Sequence, residues 1–145
     1  MYLISHRGNI NGPNQKDENS PEYILEALSQ SFDVEIDVRV YKNKFFLGHD
    51  EPLYEVNEAF LLNKKLWCHA KDAYALKKLK QIGSIYFWHQ NDDYTITSNG
   101  YFWTYPGIKL LKNSICVMPE IAEYKKINCK GICSDFIINY KIKSE

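Results

Sequence analysis

Residues 33–40, Asp-Val-Glu-Ile-Asp-Val-Arg-Val, alternate without a break between apolar and charged positions. Val34, Ile36, Val38 and Val40 share one face of a period-two strand, so Glu35, Asp37 and Arg39 share the other. Apolar runs lie on both sides in the chain, and the segment reads as an interior strand, where unpaired charge is costly. Two carboxylates two residues apart on such a strand want a cation. The plainer alternative is a salt-bridged edge strand in which Arg39 neutralises its neighbours.

Elsewhere the pattern alternates strand with connector. Tyr2 to Ser5 is a short apolar strand ending at His6-Arg7-Gly8, and a polar loop runs from there to Glu18-Asn19. Ser20 then caps a helix that begins at Pro21 and carries Tyr23, Ile24, Ala27 and Leu28 as its apolar stripe. After the charged strand, Tyr41-Lys42-Asn43-Lys44 predicts a hairpin turn into Phe45 to Gly48, which would return His49 towards the carboxylates. Further strands are predicted over 66–70, 84–88, 101–104, 114–118 and 132–133. Helices are expected near 58–62, 72–81, 108–111 and 121–126.

Strands alternating with helices imply parallel pairing. About seven in succession predict an α/β fold, a reduced TIM-type (β/α) barrel with about seven parallel strands and shortened outer helices. Such barrels usually take roughly 250 residues, so the 145 residues here form a single abbreviated domain, 1–145. A doubly wound open sheet is the alternative.

Charge narrows the partners. Eighteen basic residues balance eighteen acidic ones, without long runs, so neither nucleic acid nor an anionic membrane surface is expected as a partner. Any anion site must be local. Arg7 and Arg39 are the only arginines, and both fall in the motif segments; arginine suits forked phosphate contacts. No run approaches the 18 apolar residues of a membrane span and no basic leader opens the chain, so a cytoplasmic protein is expected. Cys68, Cys116, Cys129 and Cys133 form no CxxC pair and are expected to be reduced.

All four histidines, His6, His49, His69 and His89, fall at the ends of predicted strands, the edge where α/β folds build sites. Any one of them could be an ordinary hydrogen-bonded histidine. Together with Glu35, Asp37 and Arg7 they fit phosphoester transfer. A divalent cation held by Glu35 and Asp37 would neutralise a non-bridging oxygen, and Arg7 would add a charge-assisted contact. His6 and His49 would act on opposite sides of phosphorus, one as general base and the other as general acid.

Four motifs in this order, His6-Arg7-Gly8, Glu18-Asn19-Ser20, Glu35-Ile36-Asp37-Val38 and Leu47-Gly48-His49-Asp50, resemble the glycerophosphodiester phosphodiesterase family, related to phosphatidylinositol-specific phospholipases C. The resemblance implies a TIM-type barrel, a divalent cation (Mg²⁺ or Ca²⁺), and hydrolysis of a small phosphodiester to an alcohol and a phosphomonoester. By position it implies His6 and His49 as the acid/base pair, Arg7 on the phosphate, and Glu35, Asp37 and Glu18 as candidate metal ligands. Beyond residue 50 the likeness thins. Where the family carries Glu-x-Lys, this chain reads His69-Ala70-Lys71. Lys71 matches and would face substrate; His69 would replace the third carboxylate ligand and favour Mn²⁺ or Zn²⁺. Ser134-Asp135 resembles the family's final strand. Trp88, Tyr94, Trp103 and Tyr105 are expected to rim an open site, with Trp103 as a wall for the alcohol half, although aromatic residues near strand ends more often pack.

Two further readings stand beside the phosphodiesterase. One is a catalytically degenerate barrel that binds a phosphorylated ligand or a partner. The other is a phosphodiesterase acting on a nucleotide- or glycan-linked phosphodiester.

Overall fold

A computed structural model describes residues 1–144. The first strand, β1 (Tyr2–His6), leads through the polar loop to α1 (Pro21–Ser29). Ser20 caps that helix by accepting from the Tyr23 N–H, which satisfies one of the donors left free at a helix start. The charged-face segment is β2 (Asp33–Tyr41), followed by β3 (Lys44–Leu47) and β4 (Tyr54–Val56). Lys42 and Asn43 both take positive φ between β2 and β3, as a tight hairpin turn requires. Then come α2 (Glu58–Leu61), β5 (Leu66–Ala70) and α3 (Ala73–Ile82). Asp72 caps α3, and Gly83 ends it in the left-handed conformation, the usual stop signal. The remainder is β6 (Tyr86–Phe87), β7 (Tyr94–Ile96), β8 (Phe102–Thr104), β9 (Ser114–Val117), a 3₁₀ turn at Pro119–Ile121, β10 (Gly131–Ser134) and α4 (Ile138–Ser144).

The ten strands form one mixed sheet, and this overturns the expected (β/α) barrel. Parallel pairs join β1 to β2 and β10, β2 to β5, β5 to β6, β10 to β9 and β9 to β8. Antiparallel pairs join β2 to β3, β3 to β4 and β7 to β8. Among the described residues only four short helices accompany the strands, so strand and helix do not alternate. The doubly wound alternative fails for the same reason.

The missing helices have local causes. Over 108–111 no helix forms, because the Tyr124 hydroxyl accepts from the Gly107 N–H at 2.8 Å and donates to the Ile108 carbonyl at 3.2 Å, which fixes the Pro106-Gly107 loop as it stands. The same clamp commits Tyr124, and 121–126 yields only the end of the 3₁₀ turn. Within 91–100, where no strand or helix is predicted, β7 turns back along β8.

The sheet curls into a half-barrel. Strands β5 and β8 stand five steps apart along the sheet, roughly 24 Å if it were flat, yet the Trp67 and Trp103 rings lie 6.1 Å apart. Phe87 on β6 reaches Trp103 at 4.3 Å. The concave core holds Ile4, Trp67, Phe87, Trp103, Ile115 and Cys133. On the convex face, Val34, Ile36 and Val38 of β2 pack beneath α1 and α3 with Leu66 and Leu79, while Phe32, Cys116, Ile132 and Ile137 form a third cluster. Among the described residues no helix is long and apolar enough to cross a membrane.

Candidate metal and phosphate centre

Parallel register builds the site. On β2, Glu35 faces His6 of β1, and Asp37 faces His69 of β5. Neighbouring strands lie about 4.8 Å apart and partners in register share a face, so four chemistry-bearing side chains gather above the concave core. Glu35 is 2% exposed and Asp37 is fully buried. The strand alternation therefore puts two carboxylates inside the protein.

Their oxygens are only half provided for. Asp37 Oδ2 accepts from the Asn19 side-chain amide at 2.9 Å and lies 3.0 Å from Arg7 Nε. Asn19 also takes the Asp37 backbone N–H at 2.9 Å. Asp37 Oδ1 and Glu35 Oε2 have no hydrogen-bond partner among the described residues. His69 Nδ1 stands 3.5 Å from Glu35 Oε1 and 3.6 Å from Asp37 Oδ1. One ligand atom from each of Glu35, Asp37 and His69 lies within 4.8 Å of the others. Buried carboxylate oxygens without donors fit a cation, since an unpaired buried charge is costly. Burial pushes the Asp37 carboxyl up, but Arg7, then His69 and Asn19, outweigh it and hold it below the usual carboxylate range.

The loop after β1 is bent to serve this centre. Arg7 (φ 57°) and Asn19 (φ 65°) both occupy the left-handed region, which non-glycine residues adopt at a cost. Hydrogen bonds hold them there: Arg7 N–H to the Glu35 carbonyl at 2.9 Å, and Asn19 N–H to the Arg7 carbonyl at 3.0 Å. Glu18 takes the Asn9 amide at 2.9 Å on one oxygen and faces Arg7 Nη1 at 3.4 Å with the other. Its carboxylate thus supports Arg7 and lies outside the Glu35–Asp37–His69 group.

Both catalytic candidates have a carboxylate on Nδ1. Asp135, just past β10, holds His6 Nδ1 at 2.7 Å, and Asp50 holds His49 Nδ1 at 2.8 Å. Carboxylates accept, so each ring carries its proton on Nδ1 and presents Nε2. Burial lowers the His6 pKa, yet the Asp135 hydrogen bond and the Glu35 charge outweigh it and hold the ring above its ordinary value. The His6 Nε2 points to Glu35 Oε2 at 3.7 Å. His49 is reached through the hairpin: Gly48 N–H bonds the Asp37 carbonyl at 3.1 Å, and Arg39 donates to the Gly48 and His49 carbonyls. Its side chain is 42% exposed and lines a cleft of about 470 Å³ with Arg7, Glu18, Asn19 and Leu53.

The other expected residues divide. Lys71, half-buried, follows His69 by two residues and is tied through its N–H to the Val38 carbonyl. Trp103 is 3% exposed and packs on Phe87 and Trp67, so it belongs to the core and forms no wall of the site. Trp88 packs against the convex cluster. Tyr105 is exposed and meets His89 at 5.7 Å.

Three contributors were not singled out from the sequence as site residues: Asp135, Asn9 and Asn19. Asn9 donates to both Glu18 and Asp135, joining the loop to the last strand. The Glu18-Asn19-Ser20 motif and the Ser134-Asp135 match to a final strand contained two of them, and nothing in the sequence pointed to Asn9. No family model matches the chain, and no curated protein or solved structure does either.

Proposed function

We propose that the protein is a metal-dependent phosphodiesterase that hydrolyses a small glycerophosphodiester-type substrate to an alcohol and a phosphomonoester, in the manner of the family its first 50 residues resemble. The observation that carries this reading is the pairing of two carboxylate-oriented imidazoles with a buried, under-partnered carboxylate group beside Arg7. Glu35, Asp37 and His69 would hold a divalent cation. When bound, it supplies charge neutralisation at a non-bridging phosphate oxygen.

The chain's own groups do the rest. Arg7, anchored on Asp37 and Glu18, offers its remaining guanidinium donors to the phosphate. One imidazole takes the proton of the attacking water at Nε2 as the new O–P bond forms. The other delivers a proton to the alkoxide oxygen as the old P–O bond breaks. Lys71, two residues beyond His69, would add a second positive charge. A phosphate-binding protein without turnover is the second reading, favoured by the exposure of His49.

Hydrolysis of bis(p-nitrophenyl) phosphate and of glycerophosphocholine by EDTA-treated protein, with Mg²⁺, Ca²⁺, Mn²⁺ or Zn²⁺ restored, tests the proposal. Metal-restored turnover that falls about 10²–10⁴-fold in His6→Ala and in His49→Ala is expected. Turnover indifferent to both substitutions, or none with any ion, would remove it, and phosphate binding without turnover would select the second reading.

A further inference from the structure

The His69 ring settles its own tautomer. Its Nε2 lies 2.8 Å from the backbone carbonyl of His89, and a carbonyl oxygen can only accept, so Nε2 carries the proton. In the neutral form of the ring, the form that can take a cation, the lone pair is then on Nδ1. That lone pair faces Glu35 Oε1 at 3.5 Å and Asp37 Oδ1 at 3.6 Å, two oxygens that repel it. The ring does not turn away, because it is stacked on Phe87 with centroids 4.8 Å apart and planes inclined by 19°, and Phe87 is itself buried. Three electron-pair donors are thus aimed at one another, and two of them belong to side chains at least 98% buried, Asp37 among them with an oxygen that has no hydrogen-bond partner among the described residues.

From this geometry we infer that Glu35, Asp37 and His69 form a mixed oxygen and nitrogen site selective for Mn²⁺ or Zn²⁺ over Ca²⁺ and Mg²⁺, with His69 Nδ1 as a ligand and the His89 carbonyl as the group that orients it. The inference rests on the reading of this centre as a cation site and names the class of ion. An imidazole nitrogen suits Zn²⁺ well, and Mn²⁺, which also takes carboxylate oxygens, gains least from it among the first-row ions, whereas Ca²⁺ and Mg²⁺ are held by oxygen donors. A metal-bound histidine usually donates its other N–H to a carbonyl or carboxylate, which fixes the ring and raises the basicity of the ligating nitrogen. His69 already makes that bond.

The test is binding, independent of turnover. EDTA-treated, dialysed protein is titrated calorimetrically with MnCl₂, ZnCl₂, CaCl₂ and MgCl₂, each alone, for the wild type, His69→Glu and His69→Ala. One Mn²⁺ per chain, bound at least tenfold more tightly than Ca²⁺, is expected in the wild type; His69→Glu closes or inverts that preference, and His69→Ala weakens Mn²⁺ at least tenfold. Equal affinity for Mn²⁺ and Ca²⁺, an order unchanged in His69→Glu, or no binding of any ion would overturn the inference. Nitrogen-15 spectra of the wild-type histidines keep the question open to refutation if a variant does not fold. The metal-free protein must show the Nε2–H tautomer for His69, and substoichiometric Mn²⁺ must broaden its Nδ1 resonance; an Nδ1–H tautomer or an unaffected resonance refutes the assignment. Selective binding without phosphodiester hydrolysis would leave this inference standing and remove the proposed activity. Hydrolysis supported equally by Ca²⁺ and Mn²⁺ would do the reverse.

Discussion

Asp135 Oδ1 lies 2.7 Å from His6 Nδ1, joining residues 129 positions apart in the chain. The same oxygen accepts from Asn9 at 2.8 Å, so it is held on the ring by a second donor. Asp135→Asn keeps the volume and removes the charge. Turnover is expected to fall about 10–100-fold, as for other groups that orient a catalytic side chain, with Mn²⁺ affinity unchanged. Equal activity per folded molecule would make Asp135 a structural residue only.

The same pair predicts an acid limb of stability. Burial raises the Asp135 carboxyl, but His6, Asn9 and Arg7 outweigh it and hold it below its ordinary value. A carboxyl depressed in the folded state binds fewer protons there than in the unfolded chain. Its contribution is therefore complete above the unfolded value, about 3.9, and is lost as pH falls through the folded one. Urea midpoints of the metal-free protein between pH 6 and pH 3 should decline less steeply in Asp135→Asn than in the wild type. Parallel curves would contradict the shift.

Arg39 completes the charged face of β2, and its guanidinium is bonded to the backbone that carries His49. Arg39→Met should lower kcat on the order of 10–100-fold by letting that loop wander from the reacting position, with Mn²⁺ affinity preserved. A fall in thermal midpoint without a fall in kcat would mean that Arg39 serves the hairpin alone.

Gly131, on β10, has no room for a side chain. A Cβ there would stand 2.7 Å from Tyr2 Cβ and 2.8 Å from Ile115 Cδ1. Gly131→Ala should cost about 1–3 kcal/mol by overpacking, read from urea unfolding. An unaltered midpoint would indicate that β1 and β9 yield freely at that point.

The thiols give an independent check on the concave and convex cores. Burial pushes Cys68 and Cys116 up to about 12, and Cys133 well above its ordinary value. Cys129 is only half-buried. Titration with a thiol reagent near pH 8 should report one reactive cysteine in the native protein and four after unfolding. Two or more fast native thiols would place those strands nearer solvent.

Much of the site was legible because it is written locally. The alternation of Val34 to Val40 with Glu35 to Arg39 names its buried and charged faces without knowledge of the fold, and the Lys42-Asn43 turn returns His49 to Asp37. Ser20 and Asp72 mark their helices by capping. What failed depended on partners remote in sequence. Trp103 reads as a rim residue until the curl of the sheet carries it onto Trp67 and Phe87. Asn9 and Asn19 sit in a polar loop whose hydrogen-bond partners lie on β2 and beyond β10. The barrel expectation failed on connectors such as 108–111, where one tyrosine hydroxyl outweighs a helical pattern.

The position of β1 between β2 and β10 sets the order in which this chemistry can come into being. His6 is made 129 residues before Asp135, so a chain emerging from the ribosome can pair β1 with β2 and bring Glu35, Asp37 and His69 together from β2 and β5 while His6 still has no carboxylate behind it. The long sequence separation makes the β1–β10 pairing entropically late. Docking of β10 thus acts as a completion step that orients His6 only once the sheet around it is in place.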